Sequence, residues 1–322
     1  MRAIVQDGYG DAPEDVLRSG DAARPTIGPD EVLVEVHAAS VDRGTWHIMT
    51  GLPYPIRLAG FGLRRPKALN PGRAVAGTVV EAGERATSFR PGDAVYGTAE
   101  GAFAEYARAR AGRLAAKPAN LSFAQAAAVP VSGLTALQAV RDHAKVQAGE
   151  RVLVIGASGG VGTFAVQLAK ARGAHVTAVA STGKIDLVRT LGADEVVDYT
   201  REDISGRYDV ILDIGGNRPL SRLRRALTPH GRLVIVGGEN GGRWLGGTDR
   251  QLRAQALNPL VGQHLGTFIT RENAADLDAL RELIEAGTLT AAVDREYPLD
   301  ETPAAIHRMM DGQVRGKVVI VI

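Results

Sequence analysis

The chain has 322 residues, 45% of them hydrophobic, which is enough for two ordinary globular domains with a core each. Against 36 Asp and Glu stand 38 Lys and Arg, and the resulting formal charge of +2 is too small to argue for nucleic acid or a membrane surface as partner. There is no cysteine, so disulfides, thiolate metal sites and cysteine nucleophiles are excluded, and a reducing, cytoplasmic compartment is the expectation.

Met1-Arg2-Ala3-Ile4-Val5 gives way to polar residues and glycine too soon for a secretory signal, and no apolar run reaches the length of a membrane span. Residues 1–128 then read as short strands: Ala3 to Gln6, Glu31 to Ala38, Val75 to Ala82, Asp93 to Tyr96 and Phe103 to Ala107. Gly28-Pro29, Pro71-Gly72 and Pro91-Gly92 break them, which suits a small β-rich, barrel-like domain. From Ser122 the pattern turns helical, through Phe123 to Val129 and, after Pro130, Gly133 to Asp142.

The next stretch organises the rest. Arg151 to Ile155 is an apolar run of strand length; Gly156-Ala157-Ser158-Gly159-Gly160-Val161-Gly162 is a glycine-dense turn; and apolar residues at helical spacing follow to Lys170. A buried parallel strand feeding a helix through such a turn makes a phosphate cradle. The free N–H groups of the first helical turn and the positive end of the helix dipole face whatever sits over Ser158, Gly159, Gly160, Val161 and Gly162. Ala157 stands where the strict G-x-G-x-x-G fingerprint has its first glycine, so the context carries the assignment: the helix stops at Gly173, and a second strand, His175 to Ala180, follows. About 20 residues beyond the glycines, where an acidic residue would accept a hydrogen bond from a free ribose 2′-OH, the chain has Ser181-Thr182-Gly183-Lys184. Hydroxyls and a lysine suit a 2′-phosphate, and the expected cofactor is NADP(H). The same four residues also suit a helix N-cap with a solvated lysine, a role compatible with phosphate binding.

Strand and helix continue to alternate through Glu195 to Tyr199, Tyr208 to Ile214, a helix from Leu220 to Leu227 ending near Gly231, Leu233 to Val236, and Leu265 to Ile269. Six strands alternating with helices predict an α/β fold with one doubly wound parallel Rossmann sheet over residues 129–272. The tail holds a helix from Asn273 to Ala286, Tyr297-Pro298-Leu299, a second helix and a terminal strand from Lys317 to Ile322. It has no place in a completed six-stranded sheet, so residues 273–322 are expected to return to the first domain and leave the cofactor in a cleft between two lobes. The Gly/Pro-punctuated connections 52–72 and 238–263 have the length of lids or pocket walls.

Several motifs in this order resemble one family. They are Val41 to Gly51, Gly77-Thr78-Val79-Val80-Glu81-Ala82-Gly83, Pro91-Gly92-Asp93-Ala94-Val95-Tyr96-Gly97, Ala127-Ala128-Val129-Pro130, Gly133-Leu134-Thr135-Ala136, the Gly-Gly-Val-Gly loop, Leu191-Gly192-Ala193-Asp194 and Gly316-Lys317-Val318-Val319. Over its whole length the chain is similar to the medium-chain dehydrogenase/reductase superfamily, and within it to the zinc-free quinone oxidoreductase and enone reductase branch (zeta-crystallin-like). The resemblance implies a GroES-like barrel as the catalytic domain beside the Rossmann domain.

Departures from the zinc alcohol dehydrogenases of that superfamily direct the chemistry. At their three catalytic zinc positions stand Asp42, Arg73 and Ser132, and the four-cysteine structural zinc loop is missing after Tyr106, so no metal is expected. Without a Lewis acid, reduction of a simple ketone loses the main stabiliser of its alkoxide. A quinone or an enone spreads the charge into a phenolate or enolate, where a few hydrogen-bond donors suffice. His47 falls where the resemblance implies a proton-relay group, and its alternative is a ribose contact or packing beside Trp46. Asp42 is implied to anchor a ribose hydroxyl or orient His47, with a plain turn role before Gly44 as its alternative. Ala74 takes a position often acidic in relatives.

The resemblance further implies that Thr135 approaches the nicotinamide amide. Gly215, Val236 and Gly237 would line the nicotinamide face, and Arg43 and Lys317 would reach the pyrophosphate, with a surface salt bridge as the alternative for Arg43. Tyr199 would stack near the 2′-phosphate, or else be a strand-end core aromatic. Trp46, Tyr54, Leu58, Phe61 and Trp244 would wall the substrate pocket. The expected activity is NADPH-dependent, zinc-independent reduction of a quinone or activated C=C bond. The alternatives are a metal-free aldehyde or carbonyl reductase, or a non-catalytic NADPH-binding protein. A small-molecule substrate, no nucleic acid, no membrane, and a homodimer joined through Leu265 to Ile269 complete the expectation.

Overall fold

The computed structural model describes residues 1–216, 218–238 and 242–322, and these separate into two compact units. One comprises Met1–Leu134, Glu272–Gly287 and Ala291–Ile322; the other, Thr135–Arg271 with Thr288–Thr290.

The first unit begins with β1 (Arg2–Gln6) paired antiparallel to β2 (Leu17–Asp21). Its larger sheet grows around β3 (Glu31–Val41), a mostly buried strand in which Val32, Val34 and Val36 recur at every second position and Glu35 is exposed. β4 (Ala74–Ala82), β5 (Ala94–Thr98), β6 (Tyr106–Arg110) and β7 (Leu114–Ala116) follow, with β4 and β6 both antiparallel to β3. Val34, Val75, Phe103 and Leu114 are completely buried in the core that this sheet encloses. The expected strand over Phe103 to Ala107 begins later, at Tyr106. Phe103 fills the core, and its carbonyl accepts from Ile4 N–H (2.9 Å), so the backbone there is committed to a crossing with β1.

The second unit carries β8 (Arg151–Ile155), β9 (His175–Ala180), β10 (Glu195–Asp198), β11 (Tyr208–Asp213), β12 (Leu227–Ile235) and β13 (His264–Thr267). They form one parallel sheet in the order β10-β9-β8-β11-β12-β13. Beyond their first residues β8, β9 and β11 are nearly continuously buried, as strands covered by helices on both faces must be. The chain winds outward from β8 in both directions, so the topological switch point lies at the carboxyl end of β8. β12 starts earlier than expected. The helix ends at Ala226, Leu227 is fully buried opposite Tyr208, and the pairing then slips before resuming at Arg232 against Val210.

β14 (Val293–Pro298) and β15 (Lys317–Val321) extend the first unit's sheet, which reads β14-β15-β3-β4-β5-β7 with β6 also on β3. The two long connections are not plain loops. Residues 52–72 contain an irregular helical turn, Arg57–Phe61. Residues 238–263 lie partly outside the described residues, at 239–241, and otherwise hold the helices Gly242–Leu245 and Thr248–Leu257, the latter anchored by buried Ala254.

Candidate active site

In the second unit, the turn after β8 is built for close approach. Gly159 is the N-cap of helix Gly160–Ala171, and its carbonyl accepts from Thr163 N–H (2.9 Å). A side chain at Gly162 would collide with the Gly156 carbonyl, so only glycine lets the first helical turn sit against the strand end. The first N–H groups of this helix have no partner within it, and together with the dipole they favour an anion at the switch point. Ser158 is buried beside them.

At the end of β9, Thr182–Lys184 form a tight turn, and Ser181 makes no side-chain cap. The Thr182 hydroxyl donates to Asp198, a residue that sequence reasoning did not single out. Asp198 lies at the end of β10 in register with Ala180 and also accepts from the Thr200 hydroxyl (2.6 Å) and N–H (3.0 Å). The hydrogen bonds from Thr182 and Thr200 hold its carboxyl below the ordinary aspartate range. Of the three residues expected at a 2′-phosphate, Thr182 thus has its proton already committed, while Ser181 and Lys184 flank it on the same turn. Tyr199 is 56% exposed, which excludes the core-aromatic alternative. Gly215, Val236 and Gly237 follow the ends of β11 and β12; the N–H groups of Val236 and Gly237 both donate to the Asp213 carbonyl. Thr135 shares a hydrogen bond with Thr270 (2.9 Å). Trp244, on helix Gly242–Leu245, is 72% exposed.

In the first unit, β3 delivers the chain into helix Arg43–Thr50, which carries Arg43, Trp46 and His47. Asp42 is its N-cap: Oδ1 accepts from Thr45 N–H (3.2 Å), and the Thr45 hydroxyl accepts from Asp42 N–H. The turn role of Asp42 is therefore real but uses one oxygen; Oδ2 is buried without a hydrogen-bond partner among the described residues. His47 donates Nδ1–H to the Leu52 carbonyl (2.6 Å), a bond that orients the ring and assigns the tautomer, since a carbonyl only accepts. Its ring also meets Trp46 edge-on at 5.0 Å. Lys317 departs from its expected place at a pyrophosphate. Its side chain is buried, which lowers its pKa, and the ammonium donates to the Val41 carbonyl (2.7 Å) just before Asp42. Of the expected pocket residues here, Trp46 packs on the barrel core. Tyr54 stacks under the Arg57 guanidinium (4.9 Å), Phe61 is half-buried, and Leu58 is 76% exposed.

Arg73 donates to both carboxylate oxygens of Glu272 (2.7 and 2.6 Å), and Arg113 approaches the same group at 3.3 Å. A guanidinium locked into a carboxylate cannot ligate zinc, and Ser132 supplies only a neutral hydroxyl. Of the three positions only Asp42 offers a group that ligates zinc, and a single carboxylate beside a committed guanidinium and a neutral hydroxyl does not fit a three-ligand site.

A glycine-rich turn at the switch point of a six-stranded parallel sheet defines a dinucleotide-binding α/β fold, here in one chain with a unit built on a seven-stranded, mostly antiparallel sheet. Two family models match: the alcohol dehydrogenase GroES-like domain over residues 28–119 and zinc-binding dehydrogenase over residues 191–320. The chain is 31% identical over 339 residues to the chloroplastic quinone-oxidoreductase QR1 of Triphysaria versicolor, covering 99% of this chain and 98% of that protein. It is 35% identical over 356 residues to the mitochondrial NAD(P)H oxidoreductase RTN4IP1 of Mus musculus, covering 99% and 89%. Among solved structures, the quinone oxidoreductase of Coxiella burnetii matches with a TM-score of 0.85 at 29% identity, over 100% of this chain and 99% of that one. A mycobacterial structure complexed with NADPH matches at 0.84 and 26%, over 99% of each. The chain belongs to the medium-chain dehydrogenase/reductase superfamily, in its quinone oxidoreductase branch, and is an oxidoreductase that uses a nicotinamide cofactor.

These comparisons correct one expectation. The relatives include chloroplastic and mitochondrial proteins, so the cytoplasmic assignment does not stand. A chain without cysteine forms no disulfide in any compartment, and that absence has no power to select the cytoplasm.

Proposed function

We propose that this enzyme is an NADPH-dependent, zinc-independent reductase of quinones and of the activated C=C bond of α,β-unsaturated carbonyls. The observation that carries the reading is the ion pair of Arg73 with Glu272, which puts a committed guanidinium where a zinc reductase needs a ligand. Bound dihydronicotinamide supplies a hydride. A conjugated acceptor then needs only proton delivery and a few donors, because its charge is already delocalised.

His47 provides the proton. With Nδ1–H held on Leu52, Nε2 is the nitrogen left to exchange, and as an imidazolium it donates to the enolate or phenolate and is recharged from water. Oδ2 of Asp42, buried without a hydrogen-bond partner among the described residues, would accept from a ribose hydroxyl. Arg43 and the N–H groups of residues 159–162 would hold the pyrophosphate, and Ser181 and Lys184, with Tyr199, would hold the 2′-phosphate. Thr135 would hold the nicotinamide amide, and Gly215, Val236 and Gly237 would line the nicotinamide site. Trp46, Tyr54, Leu58, Phe61 and Trp244 contact an apolar acceptor. Residues 1–128 with 273–322 serve as the catalytic domain and 129–272 as the cofactor domain.

The enzyme acts as a homodimer. Among the described residues β13 is the edge of its sheet, paired with β12 alone, and Ile269 just beyond it is 92% exposed, which favours edge pairing between two copies.

Turnover of NADPH and NADH against quinone, enone and aldehyde panels, with the product carbon identified by NMR, tests the reading. The expected result is NADPH oxidation with quinones and a saturated ketone from the enone. Reduction confined to the carbonyl carbon, or preference for NADH, overturns it.

A further inference from the structure

Asp213 ends β11 with no exposed surface and ties together three strand ends. Its backbone carbonyl accepts from Val236 and Gly237 at the end of β12 (3.0 and 3.3 Å). Its side-chain Oδ1 accepts from Gly216 N–H (3.2 Å), and Oδ2 accepts from the Arg250 guanidinium. Arg250, only 14% exposed at its side chain, also donates to the Gly216 carbonyl, so one guanidinium bridges both sides of the turn Ile214–Gly216. From the opposite side, the Ile155 carbonyl of β8 accepts from Ile214 and Gly215 N–H, each at 3.0 Å. There is no slack nearby: a side chain at Gly237 would strike the Ile214 carbonyl, so any shift of the turn also displaces the end of β12.

Among the described residues, the ties to this turn come from its own strand and from neighbouring strand ends, apart from those of Arg250. Arg250 belongs to helix Thr248–Leu257, outside the sheet and outside every motif legible in the sequence. A buried aspartate and arginine are costly to desolvate, and a hydrophobic pair of similar volume would often serve stability as well; such a pair is better explained by the geometry it enforces.

We propose that Arg250 and Asp213 are positioning residues for the nicotinamide end of the cofactor. By bridging Gly216 and the carboxylate, they hold Gly215 and Gly237 in the one arrangement that presents a flat backbone face to the ring. The inference rests on the reading of Gly215 and Gly237 as nicotinamide-facing residues. It makes a regional claim: loss of the pair affects the nicotinamide half of the ligand and spares the adenosine half.

The test compares intact NADPH with adenosine 2′,5′-bisphosphate, which keeps the 2′-phosphate and lacks the nicotinamide, by calorimetric titration of Arg250→Met, Arg250→Lys and Asp213→Asn beside the unmodified protein. Thermal melting is recorded for each, so that titrations are made well below unfolding. Arg250→Met is expected to raise the Kd for NADPH about ten-fold or more while that for the fragment stays within about two-fold. Arg250→Lys should fall between, because a point-like ammonium keeps the charge but cannot bridge two acceptors in one plane. If the folded variants bind NADPH normally, or lose NADPH and the fragment equally, the positioning role is overturned. Failure of the unmodified protein to bind either ligand overturns instead the cofactor reading on which the inference rests.

Discussion

His47 and Lys184 carry the sharpest residue-level expectations. Because Nδ1 of His47 is fixed on Leu52, removing the ring should impair proton delivery with little change in cofactor affinity. His47→Ala is expected to lower kcat on enones by roughly 10²-fold, with the NADPH Kd nearly unchanged in a direct titration. Weakened binding with a normal kcat would make His47 a ribose contact. Lys184→Ala should cost NADPH binding on the order of 1–3 kcal/mol and leave NADH nearly unaffected, whereas Thr182→Ala should discriminate far less, since its hydroxyl already serves Asp198. Equal loss of both cofactors in Lys184→Ala would contradict the assignment. The turn at Ser181 to Lys184 was legible as a turn because its residues are contiguous. Asp198 was not, because its tie to Thr182 depends on the register of β10 against β9, which spacing along the chain does not reveal. Lys317 misled for a related reason: nothing in Gly316-Lys317-Val318 says that the lysine side chain turns inward onto Val41.

Among the elements, the glycine turn, its strand and its helix were readable to within a residue or two, since local periodicity and tight sterics act together there. β14 and the true start of β12 were not, because each is held by long-range pairing, β14 to β15 and Leu227 to Tyr208. The Leu191-Gly192-Ala193-Asp194 turn shows what such a motif does physically. Asp194 accepts from Lys170 of helix Gly160–Ala171 (2.8 Å) and from Val176 N–H on β9 (2.7 Å), knitting helix, strand and turn. Burial alone would push its carboxyl up, but Lys170 and the Val176 N–H bring it below the ordinary range. The stability it adds is therefore present above the ordinary aspartate pKa of about 4 and is lost as pH falls through the lower folded value. Asp194→Asn should cost about 1 kcal/mol at neutral pH and flatten the acid limb of the stability curve in denaturant titrations, allowing for partial exposure of both partners. An unchanged acid limb would remove Asp194 from the account.

On the scale of the whole molecule, the fold class was open to inference because strand and helix alternate regularly through the second unit, while the barrel resisted detail because its pairings are almost all non-local. The bare edge of β13 leads to a further expectation: Ile269→Lys should convert a dimer to monomer in light scattering at micromolar concentration, and a mass unaffected by the change would place any association elsewhere. The family's association with zinc meets, in this chain, an arginine already paired with Glu272. Whether the chemistry proceeds without the metal is tested most directly by one measurement: the rate of NADPH oxidation by a quinone and an enone before and after exhaustive chelation, with bound zinc quantified on the same sample. The rate is predicted to be unchanged, with zinc far below about one per chain throughout. Near-stoichiometric zinc whose removal abolishes turnover, and whose return restores it, would contradict the account.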